Sequence, residues 1–214
     1  MIKIDHFMYA VASLDEGVAW AADTFGAQPA QGGAHLGLGT RNALLSLGDT
    51  YLEIIAPDPG QNLDNTLGAR LAQLKQGGLV TWAASGDLAA VANVLQQQAV
   101  EYHGPQVTQR ETTSGDLLVW QLLFPRRHAF GSRLPFFIDW MQCPHPSVTN
   151  PNGGEFTALQ ISMPKPAGLE DLFQALSLDV LVVAGEPGLQ VRIESPRGSV
   201  TLASNDETNL LRIG

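Results

Sequence analysis

The chain has 214 residues, a formal net charge of −9 and 15% charged residues. An average soluble protein carries about 25%. With 44% apolar residues it is too hydrophobic for intrinsic disorder. No apolar run approaches the ~18 residues that suggest a membrane-spanning helix. The three lysines, Lys3, Lys75 and Lys165, form no basic stripe. Neither nucleic acid nor membrane is therefore an expected partner. The opening Met-Ile-Lys-Ile-Asp-His lacks the basic and apolar regions of a signal peptide. Cys143 stands alone, so it makes neither an internal disulfide nor a cysteine zinc site, and it reads as a loop cysteine. Together these features suit a cytoplasmic protein.

In chain order, residues 2–10 alternate as a strand, with Ile2, Ile4, His6 and Met8 on one face and Lys3, Asp5, Phe7 and Tyr9 on the other. Ser13 opens a helix, with Glu16 three residues on as in a capping box and Gly26 as its stop. A Gly-rich loop and His35 precede a hairpin of residues 43–47 and 51–56, joined at Gly48-Asp49. Residues 65–77 read as a linking helix, with Leu67, Leu71 and Leu74 on one side.

The pattern then returns. Residues 79–84 form a strand, and Asp87 caps a helix carrying Leu88, Val91 and Leu95. Residues 106–112 and 117–124 form a hairpin around Ser114-Gly115, and residues 135–141 form a further strand. A third, shorter copy follows: a strand at 156–163, a helix after Pro166, then strands at 178–183, 189–194 and 199–203. Helix starts near 14, 87 and 167 mark an internal βαβββ repeat.

The phrases IDHFMYAV, GTRNALLSLG, YLEIIAP and PFFIDW, with HPS at 145–147, occur in that order. In them the chain resembles the vicinal oxygen chelate superfamily, and within it the glyoxalase-like branch, over roughly residues 1–147. The resemblance implies an α+β fold in which paired βαβββ modules form a curved-sheet cup. The modules fall at 1–60 and 78–147, and residues 148–214 form an additional βαβββ-like module. It further implies metal ligands projecting from the first and last strands of each module. Carried onto this sequence, these are His6, Glu53 and Asp139. The fourth position falls near Thr81 or Trp82, neither of them an ordinary ligand.

Physical chemistry adds to this. Imidazole and carboxylates suit a divalent ion such as Zn, Fe, Mn or Ni. Glu53 lies among Leu52, Ile54 and Ile55, and Asp139 among Phe137, Ile138 and Trp140. Carboxylates in such runs are costly unless paired with a cation or hydrogen-bonded. The alternative reading makes His6 a core histidine, Glu53 an edge-strand side chain and Asp139 a loop hydrogen-bonder. His145, between Pro144 and Pro146, is the candidate general base or fourth ligand, and its alternative is a rigid exit loop. With Glu53 it forms the candidate catalytic pair. Arg41, Asn42 and Trp82 are candidate substrate-binding residues, Arg41 for a substrate carboxylate. Arg126-Arg127-His128 is a small basic cluster in a long loop, which reads as an ordinary solvated loop; the alternative is that it helps hold an anion at the cup mouth.

The function that the resemblance implies is a lyase, isomerase or dioxygenase acting on a small oxygenated molecule with a divalent metal in the cup. The alternative is a metal-free small-molecule binding protein of the antibiotic-sequestering type. A homodimer is open as an assembly.

Overall fold

The fold is that of a computed structural model, described over residues 1–111 and 117–211, with backbone alone at 110 and 111. The expected turn at Ser114-Gly115 and the last strand residue, Thr112, lie outside the described residues. The first module comprises β1 (Lys3–Ala10), α1 (Leu14–Phe25), β2 (Ala30–His35), β3 (Thr40–Leu47) and β4 (Thr50–Pro57). A short helix, α2 (Leu67–Leu71), leads to the second module. That module is β5 (Gly78–Ser85), α3 (Leu88–Gln97), β6 (Glu101–Glu111), β7 (Leu117–Arg126) and β8 (Phe136–Asp139). After α4 (Pro146–Thr149) come β9 (Glu155–Met163), α5 (Ala167–Ala175), β10 (Leu181–Ala184), β11 (Gly188–Ser195), β12 (Gly198–Ala203) and α6 (Asp206–Asn209).

The two modules share one eight-stranded sheet in the order β2-β3-β4-β1-β5-β8-β7-β6. In each, the first strand runs parallel to the last: β1 with β4, and β5 with β8. The antiparallel contact of β1 with β5 joins the halves. This is the paired βαβββ cup that the sequence predicts. Local signals account for the helices. Ser13 Oγ accepts from the Glu16 amide at 3.4 Å, and Gly26 stops α1 at φ 74°, where a side chain would be strained. Asp87 accepts from the Ala89 and Ala90 amides.

The linking helix is shorter than its apolar spacing suggests. Beyond Leu71 the chain tightens into turns, with the Gln73 and Leu74 amides on the Arg70 and Leu71 carbonyls. The Gly-rich stretch before His35 is a strand, β2. Gly32 is needed there, because a Cβ would overlap Asn42 Oδ1.

One face of the sheet packs on α1 and α3 through Phe7, Leu52, Trp82 and Phe137, in a single core with the second sheet and α5. Phe7 meets Phe156 of β9 at 4.9 Å, and Trp82 meets Phe173 of α5 edge-on at 5.8 Å. The second sheet and α5 therefore cover the outer face. The third unit's element order repeats the modules, but its sheet runs β10-β9-β11-β12. The parallel partner of β9 is β10, the strand directly after the helix, where modules one and two use their last strand. A short helix returning the chain beside its own first strand makes a βαβ crossover. On the cup side a smaller cluster of Met8, Ala10, Ile55, Leu67, Leu71, Val80 and Leu211 fills part of the hollow. The C-terminal segment is held there by α6, whose Asn205–Thr208 capping box anchors it beside Gly77.

Candidate functional site

Strict alternation would send Asp5 and His6 to opposite faces. A register shift between Ile4 and His6 against β5 breaks that alternation. Ile2 and Ile4 pack with the outer core beside Phe7, while Asp5 and His6 engage each other. The predicted face of Ile2, Ile4, His6 and Met8 is thus divided by a bulge.

Asp5 is fully buried and accepts hydrogen bonds from three side chains. His6 Nδ1 lies 2.6 Å from Oδ1; His145 Nε2 and Trp140 Nε1 each lie 3.1 Å from Oδ2. Burial alone would push its carboxyl up. The hydrogen bonds from His145 and His6, with the electrostatic attraction of the two rings, outweigh it and hold Asp5 well below the usual carboxylate range. An ionised Asp5 only accepts, so the protons of His6 and His145 lie on the nitrogens facing it. The His6 ring stacks on Tyr51 at 4.4 Å, and Phe136 stands edge-on to it at 5.4 Å.

His6 Nε2 is left facing Glu53 Oε2 at 3.6 Å. Glu53 projects from β4 on the same face, since β1 and β4 pair Met8 with Glu53. Its other oxygen accepts from Asn42 Nδ2 at 2.7 Å and lies 3.6 Å from His35 Nε2. Asn42 is itself fixed, its Oδ1 accepting from the Gly33 amide at 2.8 Å. His35 Nδ1 meets Thr40 Oγ1 at 2.9 Å. The result is a chain of polar groups from His145 through Asp5, His6 and Glu53 to Asn42 and His35, buried at its centre and half-buried at its two histidine ends.

His145 caps α4. Its Nδ1 accepts from the Ser147 amide at 3.2 Å and meets Ser147 Oγ at 2.7 Å. Pro146 at the first helical position and the Ser46 hydroxyl on the Ser147 carbonyl fix that turn against β3. Both ring nitrogens of His145 are therefore engaged, and its imidazole orients Asp5.

Beside this network lies a cavity of about 580 Å3, lined by residues of β6, β7, β8 and the loop from Arg127 to Pro135. Thr81 and Phe136 stand on its inner wall.

A family model described as the glyoxalase-like domain matches residues 4–177. The chain belongs to the glyoxalase-like domain family. The sequence matches no curated protein. Among solved structures, a hypothetical protein from Staphylococcus aureus is similar over 94% of this chain and 85% of its own, with a TM-score of 0.67 and 20% identity. A methylmalonyl-CoA epimerase from Mycobacterium tuberculosis is similar over 63% of this chain and 84% of its own, at 22% identity and a TM-score of 0.46. A Streptomyces coelicolor methylmalonyl-CoA epimerase in complex with 2-nitronate-propionyl-CoA covers 63% of this chain and 94% of its own, at 20% identity and a TM-score of 0.45. The glyoxalase-like fold and the phrases quoted above place the chain in the vicinal oxygen chelate superfamily.

Of the residues that sequence reading singled out, this glyoxalase-like cup brings together His6, Glu53, Asn42 and His145. Four go elsewhere or act otherwise. Asp139 is register-paired with Gln121 and shares the strand phase of Phe137, the outer core residue; its Oδ1 accepts from the Met141 amide at 2.8 Å. Phe136 and Ile138 hold the cup-facing phase of β8. Trp82 is fully buried in the outer core, its Nε1 donating to the Arg133 carbonyl at 3.0 Å. Thr81 faces the cup, its hydroxyl 3.5 Å from the Ser132 carbonyl. Arg41 alternates with Asn42, so it leaves the cup face and reaches Asp15 of α1 at 3.7 Å.

Divalent metals are common in this superfamily. His6 Nε2 and Glu53 Oε2 are two donors at a spacing that one ion could bridge. Among the described residues no group of three or more His, Cys, Asp or Glu is arranged to hold an ion. Two side chains fall short of the three or more protein ligands usual for zinc and its neighbours, so the donor set as arranged does not fit the predicted His6–Glu53–Asp139 centre.

Sequence reading missed Asp5, Tyr51 and Trp140 as parts of the site. For Asp5 a signal was present: an Asp directly before the candidate His.

Proposed function

We propose that this glyoxalase-like protein is an isomerase- or lyase-type enzyme that moves a proton on a small oxygenated molecule. The observation that supports the reading is the 2.6 Å contact of His6 Nδ1 with Asp5 Oδ1, which fixes the ring with Nε2 turned toward Glu53, so that the neutral form of His6 carries its proton on Nδ1 and offers Nε2 as the base. Asp5 positions the ring and selects its tautomer, as a carboxylate does for a catalytic imidazole. In the first step a substrate C–H beside a carbonyl gives its proton to His6 Nε2. The imidazolium formed lies between the carboxylates of Asp5 and Glu53, both of which stabilise it. The electron pair left on carbon moves onto the carbonyl oxygen. Return of the proton from His6 to a neighbouring carbon completes an isomerisation; loss of a leaving group from that carbon, with the proton kept on His6, completes an elimination. Asn42, already donating to Glu53, fixes that carboxylate opposite the ring. Phe136 lies between His6 and the cavity, and rotation of its ring admits the substrate.

The second reading is a binding protein without turnover. It is favoured by the near-complete enclosure of His6 and Glu53, 3% and 6% exposed. One experiment separates the two. Small 2-oxo acids, 2-hydroxy aldehydes and aryl acids are incubated with the protein in D2O, and loss of the C–H signal is followed by proton NMR. The proton-transfer reading predicts exchange with the native chain and its loss in Glu53→Gln. The binding reading predicts affinity without exchange. Elemental analysis of the same two proteins tests the metal that the sequence resemblance implies: an ion held by native protein and lost in Glu53→Gln would make His6 and Glu53 its ligands.

A further inference from the structure

The cavity beside the buried network has a chemistry of its own. Its volume, about 580 Å3, is that of a pocket for a small organic molecule. Phe124 and Phe136, stacked at 5.5 Å, form an aromatic wall. Pairing of β6 with β7 sets Glu101 opposite Arg126 and His103 opposite Phe124, so all four share the cup face. Arg127 Nη1 donates to Glu101 Oε2 at 3.3 Å, which draws that carboxylate onto the loop. The Arg126 guanidinium has no ion-pair or hydrogen-bond partner among the described residues. In a chain of net charge −9 with 12 basic residues, two adjacent arginines at one cavity are a local reversal of sign. An unpartnered guanidinium beside an aromatic wall is a fork for an oxyanion carried on an apolar body.

We infer that this cavity takes a small organic acid, its carboxylate on Arg126 and its apolar body against Phe124 and Phe136. The inference deepens the proton-transfer reading and rests on it in one respect: the acid bound there is the molecule presented to His6 across Phe136. Binding itself is independent of that step and is tested separately.

The test is isothermal titration of the full chain with phenylacetate, phenylacetamide and inorganic phosphate. The two organic probes share a shape and differ in charge. Phenylacetate is expected to bind about tenfold or more tightly than the amide, a difference of about 1.4 kcal/mol. Arg126→Gln should reduce the acid to the affinity of the amide and leave the amide unchanged, while Arg126→Lys retains part of the preference. Glu53→Gln should bind phenylacetate as the native chain does. Acid binding by a native chain that exchanges no proton would sink the proton-transfer reading and support the acid site. Equal affinity for acid and amide, an unaltered acid preference in Arg126→Gln, or no phenylacetate binding at millimolar concentration would overturn the inference. Phosphate bound as tightly as phenylacetate would also overturn it, because the aromatic wall would then contribute nothing.

Discussion

On the first module's wall of the cup, Asp5, His6, Asn42 and Glu53 are at most 6% exposed and are hydrogen-bonded in pairs, Asp5 with His6 and Asn42 with Glu53. On the second module's wall, Glu101, His103 and Arg126 face solvent around an open cavity. The two walls come from the same order of strand and helix. Their difference lies in what covers them and in strand length. Leu67 and Leu71 of α2, together with Leu211, close over Met8 and Ile55. Exclusion of water there makes every polar contact stronger and every unpaired group costlier. The last strand of the first module has eight residues and that of the second has four. The shorter strand leaves Phe136 and the loop before it, from Arg127 to Pro135, as a rim. One topology thus yields a closed charge network and an adjoining vestibule, and the proposed chemistry uses both.

The largest expected effect contrasts core with cup. Trp82→Ala should cost about 3–5 kcal/mol, as for a large aromatic removed from a packed core. Denaturant unfolding measures this. If Trp82 were a pocket residue, the loss would be small and ligand affinity would change.

Next in size is Asp5→Asn, which removes a carboxylate accepting three hydrogen bonds. A loss of about 2–3 kcal/mol is expected at neutral pH. The sign of its pH dependence follows from the lowered native pKa. The ionised form favours folding, so its contribution is complete above about pH 4, the range of an unperturbed Asp. It is lost as pH falls further toward the native value. The stability gap between native protein and Asp5→Asn should therefore narrow below about pH 4 and stay flat through the neutral range. Unfolding curves at several pH values check this, and a gap that widens in acid would contradict it.

The smallest effects separate two residues of the second module's exit. His145→Ala removes a helix cap and a donor to Asp5, for about 1–2 kcal/mol. Asp139→Ala removes one turn hydrogen bond and should stay within about 1 kcal/mol. In an assay of proton exchange, His145→Ala should slow the reaction through loss of Asp5 positioning, and Asp139→Ala should leave it unaltered. Slowing of equal size in both would restore Asp139 to the site.

Much of this was legible in the sequence because the signals are local. Ser13, Gly26 and Asp87 mark helix ends by backbone chemistry that acts within one turn. His6, Glu53 and Asn42 were reachable from strand alternation and the family's phrases. Asp5 was not, because period-two alternation fails at a bulge, and nothing in the residues 2–10 marks one. Arg41 and Asn42 could never both face the cup, being neighbours on one strand; alternation itself decides between them once Asn42 is placed by Glu53. Asp139 illustrates the same rule one residue out of phase, with Ile138 holding the cup position. The third unit's element order was readable, but its strand pairing depends on tertiary packing against the outer core.

The central claim is that His6 and Glu53 act together on a proton. Exchange of a substrate C–H in D2O, compared between native protein and Glu53→Gln, tests it most directly. Glu53→Gln keeps the shape of the side chain and removes the charge that stabilises the His6 imidazolium. The account predicts a folded variant that exchanges about 100-fold or more slowly, the size of a typical acid–base contribution. Exchange at the native rate in the folded variant would contradict it.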